Sequence, residues 1–198
     1  MKFSLSTYIK LCLLDTGRQI SEIQKKLSST GGFDFYWTLS KAIAAYIDGK
    51  SDDEINDILL SSSSPSQQTY NTAAYENFIK RFGKKKNMSI LNKKKTNTFF
   101  TGGIAIVFDP LFSIEDSSGI HVYSIWANQK PELTQKYGAV ACYLQREAYK
   151  NSALANSKFY FADLAAGRIY SESQITNSTS IIAKTDLKKI NNMVSDLE

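Results

Sequence analysis

The chain has 198 residues, of which 42% are hydrophobic and 22% charged, and its formal net charge is +5. This is the composition of an ordinary globular protein, and it excludes a chain that is disordered throughout. Two cysteines, Cys12 and Cys142, are too few for a disulfide framework, and no apolar run approaches the ~18 residues that span a bilayer. Lys10 interrupts the apolar run near the start, which is atypical of a signal peptide. We therefore expect a soluble, cytoplasmic protein without membrane contact.

The first part of the chain is predicted to be helical. Apolar residues recur there at intervals of three and four, as on the buried faces of amphipathic helices. The widest apolar face lies in the aromatic segment 35–47. Ser51 and Glu54 have the spacing of a capping box, and Gly83 is placed to end the last helix of the series. We expect a helical domain over residues 1–83.

A strongly basic segment follows these helices. Residues 80–95 carry eight lysine or arginine side chains and no acidic residue. Because so many like charges repel one another, they favour a bound anion such as a nucleic-acid phosphate, in a salt-dependent complex. The residues predicted to contact DNA or RNA are Arg81, Lys84, Lys85, Lys86, Lys93, Lys94 and Lys95. The alternative is a solvated, flexible linker over residues 84–95.

The rest of the chain, residues 96–198, is predicted to form a sheet domain. Runs rich in β-branched and aromatic residues predict strands at 98–108, 111–114, 120–126, 158–164 and 168–171. Gly102 and Gly103 suggest a bend in the first of them. A helix opens at Pro131, and Thr185 is placed to cap a last helix. The predicted fold class is α+β, with a helical domain followed by a mixed β-sheet in β-β-α-β-β order.

The order of these elements resembles that of the PD-(D/E)XK, or restriction-endonuclease-like, superfamily. In that family an Asp on one core strand and an acid-x-Lys pattern on the next bind Mg²⁺, because a hard cation needs anionic oxygens. Here the second strand reads Ile-His-Val-Tyr-Ser-Ile-Trp-Ala over 120–127, with neither an acid nor a lysine. The resemblance implies Asp109 and Glu115 as catalytic candidates, with Asp116 as a substitute for Glu115. It also implies that the catalytic motif is degenerate.

Other chemistry has little support in the sequence. Gln145 and Tyr149 have the spacing of a Gln-x-x-x-Tyr pattern that some members of the same family carry on the following helix. His121 is the only histidine, and we expect it on the surface of a strand. Cys12 and Cys142 lie in apolar surroundings and are expected to be buried. The sequence contains no phosphate-binding loop, no dinucleotide fingerprint and no metal-ligand spacing. We therefore predict no metal site and no cofactor.

Three functional hypotheses follow, and the sequence favours the first. The protein is a nucleic-acid-binding or nucleic-acid-associated protein without enzymatic activity, built on a catalytically degenerate nuclease fold. Alternatively, it is a divergent nuclease that uses Asp109 and Glu115 with Mg²⁺. The third hypothesis is a protein-interaction module, in which the aromatic helix at 35–47 or a sheet edge meets a protein partner or a second copy of the chain.

Overall fold

The computed structural model describes residues 1–29, 34–99 and 103–198 of the chain. Its helices are α1 (Leu5–Leu13), α2 (Thr16–Ser28), α3 (Trp37–Ile47), α4 (Asp52–Leu60), α5 (Pro65–Phe82), α6 (Gln135–Tyr149) and α7 (Asn177–Leu197). Its strands are β1 (Lys2–Ser4), β2 (Met88–Ile90), β3 (Lys95–Thr98), β4 (Ala105–Phe108), β5 (Phe112–Asp116), β6 (Gly119–Trp126), β7 (Lys158–Asp163) and β8 (Arg168–Ser171). The predicted α+β fold class is confirmed. In the part of the chain that is described, no helix is long and apolar enough to cross a membrane.

The strands form two sheets. The larger sheet has five strands in the order β2-β5-β6-β7-β8. Strands β6 and β7 are parallel and joined through α6, whereas the other neighbours in this sheet are antiparallel. The predicted β-β-α-β-β order is therefore present as β5-β6-α6-β7-β8. A smaller sheet has the order β1-β4-β3, with β1 parallel to β4.

Helices pack on both faces of the larger sheet. Its central strands carry apolar side chains that point alternately to one face and to the other, so both faces are apolar. Trp126 and Phe161 belong to the face that shares its core with α1, α6 and α7. Phe112 and Tyr123 belong to the opposite face, where residues of α3 and α5 pack. The ring of Phe82, at the end of α5, lies 5.2 Å from the Phe112 ring and 5.1 Å from the Tyr123 ring. The helical and sheet regions thus share these two hydrophobic cores, and a third, smaller cluster lies between α3 and α4.

Several element boundaries differ from the sequence prediction, and helix α6 begins at Gln135 rather than at Pro131, with Thr134 as its cap. Helix α5 begins at Pro65, within the polar run of residues 61–68 that the sequence suggests is a loop, because the Ser64 hydroxyl accepts a hydrogen bond from the Gln67 amide and proline fits the first helical turn. The prediction that Thr185 caps the last helix was wrong, since that residue lies inside the single long helix α7. The buried residues of α7 follow one continuous helical face, and they are Thr179, Ala183, Leu187, Ile190 and Val194.

The strand predicted over 98–108 is divided in the structure. Strand β3 ends at Thr98 and β4 begins at Ala105, and the two pair with each other as antiparallel neighbours. Gly102, one of the two residues of the predicted bend, lies outside the described residues. Residues 84–95 contain β2 and the first residue of β3. The division of the chain into a helical domain, a linker and a sheet domain stays a prediction.

Candidate nucleic-acid interface

The first lysine triplet, Lys84–Lys86, lies in the tight turn that follows α5. All three side chains are exposed. The Lys85 amide donates to the Phe82 carbonyl at 2.8 Å, so the turn continues directly from the helix. The Tyr46 hydroxyl of α3 donates to the Gly83 carbonyl at 2.9 Å. A tyrosine of a neighbouring helix therefore fixes the backbone that presents this triplet.

The second lysine triplet, Lys93–Lys95, ends at the first residue of β3. A tyrosine also holds its backbone in place. The Tyr149 hydroxyl, at the end of α6, donates to the Lys93 carbonyl. The ammonium group of Lys95 lies 5.8 Å from the centroid of the Tyr149 ring, within the range of a cation–π contact. The Lys94 ammonium lies 3.5 Å from the Asp109 carboxylate, and both side chains are exposed. Lys93 is also exposed.

Strand β2 joins the two triplets and forms one edge of the larger sheet. Lys84–Lys86 lie before this strand and Lys93–Lys95 lie after it, so the triplets flank its opposite ends. We call β2 together with the two triplets the lysine edge. Within residues 1–29, 34–99 and 103–198, Lys94 is the one member of the triplets that forms an ion pair. Arg81, the remaining predicted contact, donates from Nε to the Gly167 carbonyl at 2.6 Å.

A cleft of about 390 Å³ opens beside the first triplet, and we call it the lysine cleft. It is lined by Lys85, Lys86, Glu115, Asp116, His121 and Tyr160, among others. The Asp116 carboxylate accepts hydrogen bonds from the Ser118 hydroxyl at 2.8 Å and the Ser118 amide at 2.7 Å. These bonds, with a further one from His121, lower the pKa of Asp116 to about 2. Burial, with a smaller contribution from Tyr160, raises the pKa of Tyr123 to about 12.

The residues around His121 and the two cysteines are poorly arranged for nucleophilic catalysis. Asp116 and the Ser118 hydroxyl both approach Nε2 of His121, at 3.1 and 2.9 Å. A catalytic triad requires them on opposite ring nitrogens, with the acid orienting the imidazole and the serine facing the substrate. Cys12 and Cys142 are buried, as predicted, and burial raises the pKa of each thiol. A buried thiol with a raised pKa is a poor nucleophile.

A second, larger cleft of about 780 Å³ lies between α1, α2 and the loop before β5. Its lining includes Asp109, Ser124 and the ion pair of Lys10 with Glu22, whose charged atoms lie 2.9 Å apart. The hydrogen bond from Lys10 is the main reason why the pKa of Glu22 is lowered. At the base of this cleft, the Ser124 hydroxyl donates to the Gln145 side-chain oxygen at 2.6 Å. Gln145 is fully buried, so this bond joins α6 to β6 inside the core.

The acidic candidates for a magnesium site lie apart. Asp109 lines the large cleft, whereas Glu115 and its substitute Asp116 line the lysine cleft. Across residues 1–29, 34–99 and 103–198, no three His, Cys, Asp or Glu side chains form a group that could hold a metal. Mg²⁺ is bound in proteins through carboxylates that converge on one point. Asp109 and Glu115, which line different clefts, therefore do not meet as the pair of carboxylates that the nuclease resemblance implies.

Comparisons with known proteins assign the chain to no family. No family model matches it, and no curated protein matches it. Among solved structures, it is similar to a provisionally assigned exonuclease from Eubacterium rectale, with 11% identity and a TM-score of 0.48 over 98% of this chain and 82% of that chain. It is also similar to the protein SSO0001, with 13% identity and a TM-score of 0.33 over 90% of this chain and 87% of that chain. These values describe only a distant similarity of backbone fold. The PD-(D/E)XK resemblance is not confirmed.

Proposed function

We propose that the protein binds nucleic acid through the lysine edge and does not cleave it. The observation that carries the proposal is the placement of two lysine triplets at opposite ends of one edge strand. Tyr46 and Tyr149 hold the backbone of the triplets by hydrogen bonds to Gly83 and Lys93. Lysines on a fixed backbone bind an anion with less loss of conformational freedom than lysines on a mobile segment.

The spacing of the triplets matches an extended polyanion better than a small anion. Lys86 and Lys93 are seven residues apart, so their Cα atoms lie at most about 25 Å from each other. One strand of B-DNA advances about 3.4 Å per nucleotide, so the lysine edge spans up to about seven nucleotides. Phosphates at both ends of such a stretch would each meet several ammonium groups, and the release of counterions would drive binding.

The two alternative functions have less support. A magnesium-dependent nuclease needs convergent acids, and Asp109 and Glu115 line different clefts. A protein-interaction module that uses α3 needs the apolar face of that helix to be available. Leu39 and Ile43 of this face are completely buried within the protein.

The test is a fluorescence anisotropy titration with single- and double-stranded DNA and RNA of about 12 nucleotides, across a salt series. One variant replaces Lys84, Lys85 and Lys86 by alanine, and a second replaces Lys93, Lys94 and Lys95. Each phosphate contact contributes about 0.7 to 0.9 to the slope of log affinity against log salt. We expect each variant to bind more weakly and to lower this slope by up to about two to three units, since three lysines are removed.

A third variant replaces Lys184, Lys188 and Lys189 by alanine and serves as the matched control. These lysines are exposed on α7, and their loss changes the net charge by the same amount. The control should retain the affinity and the salt slope of the unmodified protein. Absence of binding at low salt, or equal losses in the control and in both test variants, would overturn the proposal.

A further inference from the structure

His121, the only histidine of the chain, lines the lysine cleft within a cluster of polar side chains. Its Nε2 atom lies 3.1 Å from the Asp116 carboxylate and 2.9 Å from the Ser118 hydroxyl. Its Nδ1 atom lies 3.0 Å from the Tyr160 hydroxyl. The Lys158 ammonium group donates to the Ser118 hydroxyl at 3.2 Å. Both ring nitrogens are therefore engaged, and the histidine side chain is only 12% exposed.

One acid opposes the lysines of the lysine cleft. Lys85 and Lys86 line this cleft with exposed side chains, and Asp116 lines it as well. Hydrogen bonds from Ser118 lower the pKa of Asp116 to about 2, so Asp116 keeps its negative charge at neutral pH. Glu115 is its neighbour on β5, and alternation directs the Glu115 side chain to the opposite face of the sheet. Asp116 is therefore the carboxylate that a phosphate beside these lysines meets.

The protonation state of His121 decides whether this acid is neutralised. An ionised carboxylate only accepts hydrogen bonds, so Nε2 of His121 carries the proton that it donates to Asp116. In a neutral imidazole Nδ1 is then the acceptor, and the Tyr160 hydroxyl donates to it. A hydroxyl can also accept, so an imidazolium fits the same positions once the Tyr160 hydroxyl has rotated. The pair of His121 and Asp116 then has no net charge.

The other titratable groups that face His121 keep their charge over the range in which histidine ordinarily titrates, between about pH 5 and 8. Burial raises the pKa of Tyr123 to about 12 and also raises the pKa of Tyr160, so both phenols stay protonated. The lysines around the cluster are cations throughout, since lysine ordinarily loses its proton near pH 10. These lysines are Lys85, Lys86 and Lys158. A change of charge at this site within that range is therefore a change at His121.

We propose that the lysine cleft binds a phosphate group of the nucleic acid and that His121 takes up a proton when it does. The imidazolium neutralises Asp116, so Lys85 and Lys86 act on the phosphate without an opposing charge. The affinity is therefore highest at low pH, where His121 is protonated already, and falls as the pH rises through the titration of the complex. Bound phosphate favours the protonated imidazole by the same factor, because linkage is reciprocal. The inference rests on the proposed nucleic-acid binding and adds a regulation of that same site.

The first experiment measures the affinity for oligo(dT) of about 12 nucleotides at about pH 5.5 and about pH 7.5, at one salt concentration and with a dye that does not titrate. Hydroxyl ends avoid a terminal phosphate, which would titrate near pH 6. The unmodified protein should bind about fivefold more tightly at the lower pH. His121→Gln keeps a neutral polar side chain and should bind with equal affinity at both pH values. Circular dichroism shows whether this variant retains the fold.

The two triplet variants test where the proton-linked phosphate lies. Alanine at Lys84, Lys85 and Lys86 should remove most of the pH effect together with part of the affinity. Alanine at Lys93–Lys95 is the matched control, which should weaken binding and keep the ratio of about five between the two pH values. The same ratio in both variants would overturn the assignment of the effect to the lysine cleft.

Nuclear magnetic resonance gives a second test that needs no substitution. Because the chain has one histidine, the protein without a histidine tag gives a single set of titrating imidazole signals. Saturating oligo(dT) should move the midpoint of this titration upward by about 0.7 pH unit, which is the logarithm of the fivefold ratio. An unchanged midpoint with oligo(dT) bound would contradict the inference.

The outcomes separate this inference from the proposed function. Equal affinity of the unmodified protein at the two pH values would overturn the inference, as would a pH effect that persists in His121→Gln. Salt-dependent binding in either case would leave the proposed function standing. Absence of binding at both pH values would overturn the proposed function itself.

Discussion

At the scale of single residues, one arginine links α6 to the loop before β7 and to the residue that follows β8. Arg146 Nε and Nη2 lie 2.6 and 2.7 Å from the two Glu172 carboxylate oxygens. The same guanidinium donates to the carbonyls of Ala155 and Ser157, both at 2.6 Å. Glu172 also accepts a hydrogen bond from the Phe159 amide at 2.9 Å. Planar, bidentate pairing of this kind is stronger than a single contact between point charges.

We expect Arg146→Ala to lower the free energy of unfolding by about 2–3 kcal/mol, because Glu172 would keep its charge in a mostly buried place without its partner. Urea denaturation gives this difference. Arg168→Ala is the control, since Arg168 and Glu132 form an ion pair at 3.2 Å with side chains 57% and 70% exposed. Its cost should stay below about 1 kcal/mol. Equal losses in the two variants would contradict this account of Arg146.

The sequence predicts only part of this residue-level detail. The spacing of Arg146, Glu147 and Lys150 indicates a solvated charged face, and the Glu147–Lys150 pair at 2.8 Å fits that interpretation. The partners of Arg146 lie 9 to 26 positions away in the chain, and helical spacing carries no information about them. The lysine cleft was missed for the same reason. Alternation on β6 places His121 and Tyr123 on one face, but only the pairing of β6 with β7 brings Tyr160 beside them.

At the scale of elements, α6 lies close to β8 because a glycine faces an aromatic ring. A Cβ atom added to Gly138 would lie 2.3 Å from Cγ of Tyr170, a distance that no relaxed structure permits. The Tyr170 hydroxyl donates to the Leu133 carbonyl at 3.1 Å, so the ring is held at both ends. The close approach of helix and strand therefore depends on the missing side chain at Gly138.

We expect Gly138→Ala to be destabilising by about 1–3 kcal/mol, because the overpacking outweighs a gain in helix propensity of about 1 kcal/mol. Gly17→Ala, in the first turn of α2, is the matched control. Its nearest contact would be an Asp15 oxygen at 3.5 Å, which is ordinary van der Waals distance. This variant should gain up to about 1 kcal/mol. The melting temperature should thus fall in Gly138→Ala and rise in Gly17→Ala. A Gly138→Ala variant as stable as the unmodified protein would exclude the packing argument.

Elements with local signals are predictable from the sequence, and elements defined by distant pairing are not. The capping box of Ser51 and Glu54 forms as its spacing indicates, with both reciprocal hydrogen bonds present. Strand β1 has three residues and pairs with β4, about a hundred residues further along the chain, so no local pattern marks it. Strand β2 is equally short. Its place at the sheet edge, which separates the lysine triplets, follows only from its pairing with β5.

At the scale of the whole molecule, the two larger hydrophobic cores each combine residues of the predicted helical domain with residues of the predicted sheet domain. One core contains Tyr8 and Ile9 of α1 together with Trp126 of β6. The other contains Phe78 and Phe82 of α5 together with strands β5, β6 and β7. Neither core is complete without the N-terminal helices. The shared cores favour cooperative unfolding of the entire chain over independent unfolding at the predicted domain boundaries.

The two tryptophans provide a direct measurement of this cooperativity. Trp37 lies at the start of α3 and Trp126 is buried in β6, so each reports on one of the predicted domains. In Trp37→Phe the fluorescence comes from Trp126 alone, and in Trp126→Phe it comes from Trp37 alone. Within each variant, we expect the fluorescence and far-ultraviolet circular dichroism transitions in urea to coincide, because both probes follow one cooperative event. Because both transitions are measured on the same variant, any loss of stability caused by the substitution affects them equally. Separate midpoints in either variant would instead support a helical domain and a sheet domain that unfold independently, with the lysine edge between them.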